Sequence, residues 1–381
     1  MNSPVETKKW ILMTGAAGLI GRHLRFALND QFFFWCIDKH PVNDMDTGDV
    51  GDVLDIGSLA TFTDAWDSHP EITSNLHAVI HLAAYYDFTN QPNPAYQRVN
   101  DGLERLLMLM SQDAPENCLL ISSGSMAALA PVLPGQRQSE TSPRAGLWAY
   151  PHSKLQAERL LDQTTIRQPI VQLILAAVYT DSCELVPLYN WIEICASGGI
   201  EKYFYPGPTT RGLTYCHIED VVRAFAMTIQ KFGPGGELIL QAEAELAAKR
   251  AKKSIEGSME GGVREKFLIG QPEPMSYREI HALACTAFRG KAIKLIQLPT
   301  DLVTIGAWIM ELVERIRKKP RFIKPWMIKF AGEHFSFDLT YVRTRLGWVP
   351  KKSIQHDFNG ILTCAVRDRA NWLKINSLRP R

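Results

Sequence analysis

The sequence predicts an α/β protein, a doubly wound parallel sheet followed by a smaller α+β C-terminal portion. Three observations carry this expectation. Apolar runs of strand length alternate with helical patterns through the first half of the chain. A glycine-rich turn joins the first apolar run to the first helical pattern. Polar residues with chemical potential, among them Asp38 and Ser123, stand where apolar runs end, the edge at which open α/β sheets bind ligands.

The first run, Trp10-Ile11-Leu12-Met13, reads as a buried strand, and Arg22 to Leu28 as a helix. Between them lies Thr14-Gly15-Ala16-Ala17-Gly18-Leu19-Ile20-Gly21. In a Rossmann-type turn of this kind Gly15 permits the tight bend. Gly18 admits a pyrophosphate against the backbone, and Gly21 lets the helix pack close to the strand. The N–H groups and dipole of the helix start then favour phosphate. Phe32 to Ile37 forms a second run ending at Asp38, placed to accept from the ribose hydroxyls of a dinucleotide. A carboxylate there repels a 2′-phosphate and favours NAD; Arg22 and Lys39 nearby keep NADP open.

In Gly51-Asp52-Val53, Asp52 is placed to accept from an adenine amino group, with Val53 against the ring. The run from His77 ends in Leu82-Ala83-Ala84, small enough for a cofactor to approach the backbone. His81 reads as a structural histidine at a strand end. Leu119-Leu120-Ile121-Ser122-Ser123 ends in two hydroxyls. Tyr150 and Lys154, four residues apart, fall on one face of the helical pattern that follows, with Pro151 in its first turn. Beyond Tyr179 the alternation breaks. The expected organisation is a dinucleotide-binding domain over 8–179, rejoined by the chain at about 212–232, with 180–211 and 233–381 binding substrate. Residues 242–266 read as a charged insertion of exposed helix and glycine-rich loop. Ser276-Tyr277-Arg278-Glu279 reads as a capping box opening a helix.

Together these segments resemble the extended short-chain dehydrogenase/reductase family, in its NAD-dependent epimerase/dehydratase branch. The likeness also takes in Val99-Asn100-Asp101-Gly102, Cys216-His217-Ile218-Glu219-Asp220-Val221-Val222 and Leu346-Gly347-Trp348-Val349-Pro350, all in family order. It implies Tyr150 as general acid/base, its acidity raised by the Lys154 ammonium and an oxidised nicotinamide. Lys154 would also hold the nicotinamide ribose, Ser123 the reacting substrate oxygen, and Asn100 the site from a neighbouring helix. The cofactor set it implies is Gly15, Gly18, Leu19, Ile20, Gly21, Asp38, Asp52, Val53, Leu82, Ala83, Ala84, Asn100, Tyr150, Lys154 and Val178. Tyr85, Tyr86, Ser125, Tyr179 and Arg211 are candidates for the substrate wall. The resemblance also implies a homodimer.

Departures narrow the chemistry. Family 4,6-dehydratases follow the active hydroxyl with an Asp-Glu pair; here Gly124-Ser125 follows Ser123, which argues against that elimination. Ile174 and Leu213 stand where nucleotide-sugar enzymes commonly carry arginine, and Arg211 comes two residues early, so a diphosphate lacks its usual cationic donors. Leu302 to Val313 is a largely apolar helical stretch followed by Arg315, Arg317, Lys318, Lys319, Arg321 and Lys324, with Phe322 and Trp326 among them. The stretch 302–326 thus suits either a packed helix or peripheral contact with a membrane surface.

The 381 residues carry 42 Lys and Arg against 40 Asp and Glu, a net charge of +2 that makes no case for nucleic acid. The seven cysteines lack paired metal or redox spacing, so no metal is expected. Their odd number and the absence of an apolar leader point to a cytoplasmic setting. The expected activity is hydride transfer to or from a secondary alcohol or ketone, as oxidoreductase or epimerase. A sugar-derived substrate stands ahead of a sterol- or isoprenoid-like alcohol. A non-catalytic NAD-sensing protein is the alternative from another class.

Overall fold

The computed structural model describes residues 8–87, 89–239, 241, 262–317 and 324–376. The chain opens with β1 (Lys9–Thr14), α1 (Leu19–Leu28), β2 (Phe32–Asp38), β3 (Val50–Val53), α2 (Leu59–Asp67), α3 (Pro70–Thr73) and β4 (Leu76–His81). Then follow α4 (Pro94–Asp113), β5 (Leu119–Ser125), α5 (Ala149–Gln163), β6 (Ile170–Leu175) and β7 (Ala177–Tyr179). After α6 (Val186–Ala196) come β8 (Phe204–Pro206), β9 (Gly212–Leu213), β10 (Tyr215–His217), α7 (Ile218–Phe232) and β11 (Arg264–Ile269).

Seven strands form one sheet in the order β3-β2-β1-β4-β5-β6-β11, every pairing parallel. Parallel strands are covered on both faces and need apolar side chains on both. Successive residues of β1 show this: Ile11 and Met13 pack into one core with Leu24, Val221 and Phe225, whereas Leu12 packs into another with Phe62, Leu106 and Leu161. Strand order reverses between β1 and β4, which opens a crevice beyond their carboxyl ends, where such sheets take ligands.

A third core lies apart from the sheet. Leu188 and Ile192 of α6 pack there with Ile280 and Ala284 of the helix Tyr277–Arg289 and with Phe358 and Ile361 of the helix Ile354–Arg367. The capping box is present: Ser276 accepts from the Glu279 N–H, and the Glu279 carboxylate accepts from the Ser276 N–H.

The expected insertion ends earlier than 266. Residues 242–261 lie outside the described residues, but Arg264, Glu265 and Lys266 belong to β11, the seventh strand. Their charges are compatible with an edge strand because each is partnered. Glu265 receives Arg345 and the Tyr341 hydroxyl, Lys266 donates to Glu158 and Asp162, and Arg264 donates to the Ile166 and Gln168 carbonyls. The apolar stretch near 302 is one helix, Thr300–Arg317. Residues 318–323 of the basic run, and Phe88 of the 85–90 loop, lie outside the described residues.

Candidate functional site

The turn after β1 is built for close approach. Gly15 sits at φ +75°, and a Cβ there would lie 2.7 Å from the Ala83 nitrogen at the end of β4. A Cβ on Gly21 would lie 2.6 Å from the Ala16 carbonyl oxygen, so α1 can pack this tightly on the turn only with glycine. Gly18 caps α1 without a side-chain hydrogen bond, and no acid stands in the first turn. The leading N–H groups of the helix therefore meet no carboxylate from their own turn, which leaves the helix start open to an anion. Leu19, Ile20, Leu82 and Val178 are half-buried against the adjoining core. Asp38 accepts from the Ala17 N–H at 3.0 Å and from the His40 N–H at 2.9 Å, which anchors its carboxylate beside the turn.

Asp52 behaves differently. Its Oδ2 accepts from the Trp35 indole N–H at 2.7 Å and lies 3.5 Å from His69 Nε2, while Oδ1 has no partner among the described residues; Val53 beside it is exposed.

At the end of β5 two small networks meet. In the first, the Lys154 Nζ donates to the Ser123 carbonyl at 3.0 Å, and the Ser123 hydroxyl reaches the His81 carbonyl at 3.5 Å. Burial brings Lys154 down from 10.5 to about 8. His81 is buried and falls to about 3, by burial first and the Lys154 charge second; it is neutral, and its Nδ1 lies 2.9 Å from the Thr14 hydroxyl. This matches the structural reading of that histidine.

The second network centres on Tyr150. Burial raises its phenol above the usual range, and a hydrogen bond from Ser125 opposes that rise. Tyr86 meets Tyr150 edge-on at 4.4 Å between ring centroids. Trp148 lies 5.6 Å from Tyr150 and 5.1 Å from Trp326, extending an aromatic wall. The Trp326 indole nitrogen is buried without a hydrogen-bond partner among the described residues. Neither tryptophan was singled out for the site by its sequence motif; Trp148 lies two residues before Tyr150, and Trp326 among basic residues.

Asn100 holds the helix that carries these groups. Its Nδ2 donates to the Ser153 carbonyl and to Gln156 Oε1, each at 3.2 Å. Tyr85 lies one layer out, its hydroxyl accepting from Asn93 and its ring 4.8 Å from Tyr96.

The structure does not bring Tyr179 to this cluster. Its ring is fully buried and its hydroxyl donates to Asp357 Oδ2 at 2.7 Å, so it supports the third core instead of a substrate wall. Arg211 is also engaged: one guanidinium nitrogen donates to the Gly332 carbonyl at 3.2 Å.

Comparison with known proteins supplies the context. The family model described as "NAD dependent epimerase/dehydratase family" matches residues 11–240. No curated protein matches the sequence. Among solved structures, UDP-glucose 4-epimerase from Thermotoga maritima, determined with UDP-glucose, is similar at 18% identity and a TM-score of 0.64, covering 95% of this chain and 99% of that one. The Bordetella bronchiseptica enzyme WbmG, determined with NAD and UDP, is similar at 17% identity and a TM-score of 0.63, covering 98% of each chain. UDP-glucose 4-epimerase from Thermus thermophilus, determined with NAD, is similar at 18% identity and a TM-score of 0.61, covering 94% of this chain and 99% of that one. At these identities the likeness is one of fold.

Proposed function

The chain belongs to the NAD-dependent epimerase/dehydratase family, and from that premise we propose that it moves hydride between NAD and a secondary alcohol or ketone. The observation that carries this is the meeting of Tyr150, Ser125, Ser123 and Lys154 at the end of β5. Bound NAD would supply the hydride acceptor or donor. The residues of the crevice fit it: the glycine turn leaves no Cβ in the way, the start of α1 is free of acids, and Asp38 is held beside it. Gly15, Gly18, Leu19, Ile20 and Gly21 would carry the pyrophosphate, with Leu82, Ala83, Ala84 and Val178 lining the approach. Asp38 would take the ribose hydroxyls, and Asp52 retains one oxygen for adenine.

On the protein side, Tyr150 exchanges the hydroxyl proton of the substrate. Ser125 stabilises the phenolate through its hydrogen bond. Lys154, protonated at neutral pH, places a positive charge in the same cavity, and Ser123 orients the substrate oxygen. Asn100 acts through α5 as a positioning residue.

A sugar-derived substrate is the first reading, supported by the UDP and UDP-glucose complexes of the similar structures. One observation favours a second reading, a hydrophobic alcohol taken at a membrane surface. Leu302, Ile305 and Trp308 of the helix Thr300–Arg317 are each more than half exposed, and this helix packs on the segment holding Trp326. No described helix is long and apolar enough to cross a membrane, so such contact would be peripheral.

The test is Tyr150→Phe, with nucleotide sugars and with sterol and prenyl alcohols as substrates. Retained NAD affinity with turnover reduced on the order of a hundredfold or more supports the assignment. Turnover equal to the parent would end it.

A further inference from the structure

We propose that Cys195, His281 and Cys285 form a binding site for a thiophilic metal ion, Zn²⁺ or Cu⁺. Cys195 comes from the last turn of α6. His281 and Cys285 stand one turn apart on the helix that packs against it. The spacing of 86 and 4 residues hides the grouping from any sequence motif. All three side chains are shut from solvent, at 0%, 1% and 0% exposure, and their ligand atoms lie within 4.8 Å of one another.

The dimensions suit a metal. With metal–sulfur near 2.3 Å and metal–nitrogen near 2.0–2.1 Å, the sulfur–nitrogen edge of a tetrahedron is about 3.6 Å. Here the Cys195 sulfur lies 3.3 Å from His281 Nδ1, and the Cys285 sulfur lies 3.5 Å from Nε2 and 4.0 Å from Nδ1. Both sulfurs thus sit near the ideal separation from the ring, and a turn of the imidazole that presents one nitrogen to both closes the set.

The surroundings suit it too. The Ile293 backbone hydrogen-bonds both His281 and Cys285, the kind of support that fixes ring orientation at metal sites. Arg289 donates to the Cys195 carbonyl at 2.8 Å and Lys202 to the Ser197 carbonyl at 3.4 Å, which places two cations beside the cluster. Two thiolates and Cu⁺ would carry one net negative charge opposite those cations, in a complete three-donor site. Zn²⁺ would be neutralised by the thiolates and would add an exogenous fourth ligand. Either ion displaces two thiol protons to solvent and undergoes no redox change. Its role would be to tie α6 to the neighbouring helix, away from Tyr150.

The experiment uses the full chain, purified reduced and without a metal-binding tag, then dialysed with Zn²⁺ or, anaerobically, Cu⁺. The expected result is about one tightly held ion per chain, falling below roughly a tenth in Cys195→Ser and in Cys285→Ser. Apparent affinity should rise roughly a hundredfold per pH unit while both thiols are protonated. A Co²⁺ titration of the unaltered protein should give thiolate-to-metal charge-transfer absorption, a readout that does not depend on either variant folding. Absence of both stoichiometric metal and that absorption overturns the proposal. So does a Cys195–Cys285 disulfide whose reduction leaves a protein unable to take up metal.

Discussion

Lys154→Met should stabilise the cofactor-free protein while abolishing turnover. Burial lowers Lys154 from 10.5 to about 8. At 1.36 kcal/mol per pH unit, that places a penalty of about 3 kcal/mol on the folded state wherever the lysine is protonated in both states. Between pH 8 and 10.5 the unfolded chain holds a proton that the folded chain has released, so wild-type stability rises across this window. Below pH 8 the penalty is complete; above 10.5 it is gone. Methionine removes it but also gives up the 3.0 Å bond to the Ser123 carbonyl, a loss of about 1 kcal/mol. The net is a gain of about 2 kcal/mol at pH 7, shrinking above pH 8 and turning to a loss of about 1 kcal/mol near 10.5. Urea denaturation of both proteins from pH 7 to 10 measures this, and groups common to the two cancel in the difference. A variant less stable than wild type at pH 7, or a gap that does not change with pH, would refute the reasoning.

Three further outcomes are expected. Gly15→Ala forces a Cβ into a left-handed position, costing about 1–2 kcal/mol, and against the Ala83 nitrogen. Calorimetric titration should then show NAD bound at least about tenfold more weakly, and unchanged affinity would remove the turn from the site. Ser125→Ala deletes the bond that holds Tyr150 down, so the tyrosine limb of the kcat/KM profile should move to higher pH; a stationary limb would count against Ser125 control. Glu333 is pushed up from 4.5 to about 7 by burial. Its folded state binds the extra proton between those values, so this group lowers stability by about 3 kcal/mol as pH rises through them. Glu333→Gln should flatten that decline in thermal melts, whereas parallel curves would show that the carboxyl is not desolvated.

Much of the sheet was legible because its signals are local. Apolar runs such as Phe34-Trp35-Cys36-Ile37 need no distant partner to read as strands, and the capping box is complete within four residues. Tyr150 and Lys154 share a helix, so their juxtaposition follows from spacing alone. What escaped the sequence depends on partners far along the chain. Arg264-Glu265-Lys266 looks like loop until Glu158 and Arg345 are beside it. Tyr179 ends a strand as a substrate residue would, but its hydroxyl donates a hydrogen bond to Asp357, 178 residues on. Asp52 stands at the expected turn, yet the Trp35 indole holds one of its oxygens. Trp326 joins the aromatic wall through Trp148, a contact no period in the sequence encodes.

The electrostatics of the β5 end explain why a destabilised lysine would be retained. Burial drives Tyr150 and Lys154 toward their neutral forms, the phenol upward and the ammonium down to about 8. At neutral pH the lysine still carries its proton, but the tyrosine is far from ionisation, and Ser125 offsets only part of its rise. The polypeptide by itself therefore holds an acid in place of a base. Oxidation of an alcohol requires the phenolate, and a further positive charge in the crevice would lower the phenol toward that state. An oxidised nicotinamide carries such a charge and its reduced form does not. In the proposed reaction, bound NAD would thus bias Tyr150: the phenol would donate when a ketone is reduced, and the phenolate would accept when an alcohol is oxidised. On that proposal, the stability sacrificed at Lys154 would keep a proton-bearing cation in the cavity through both halves of the cycle.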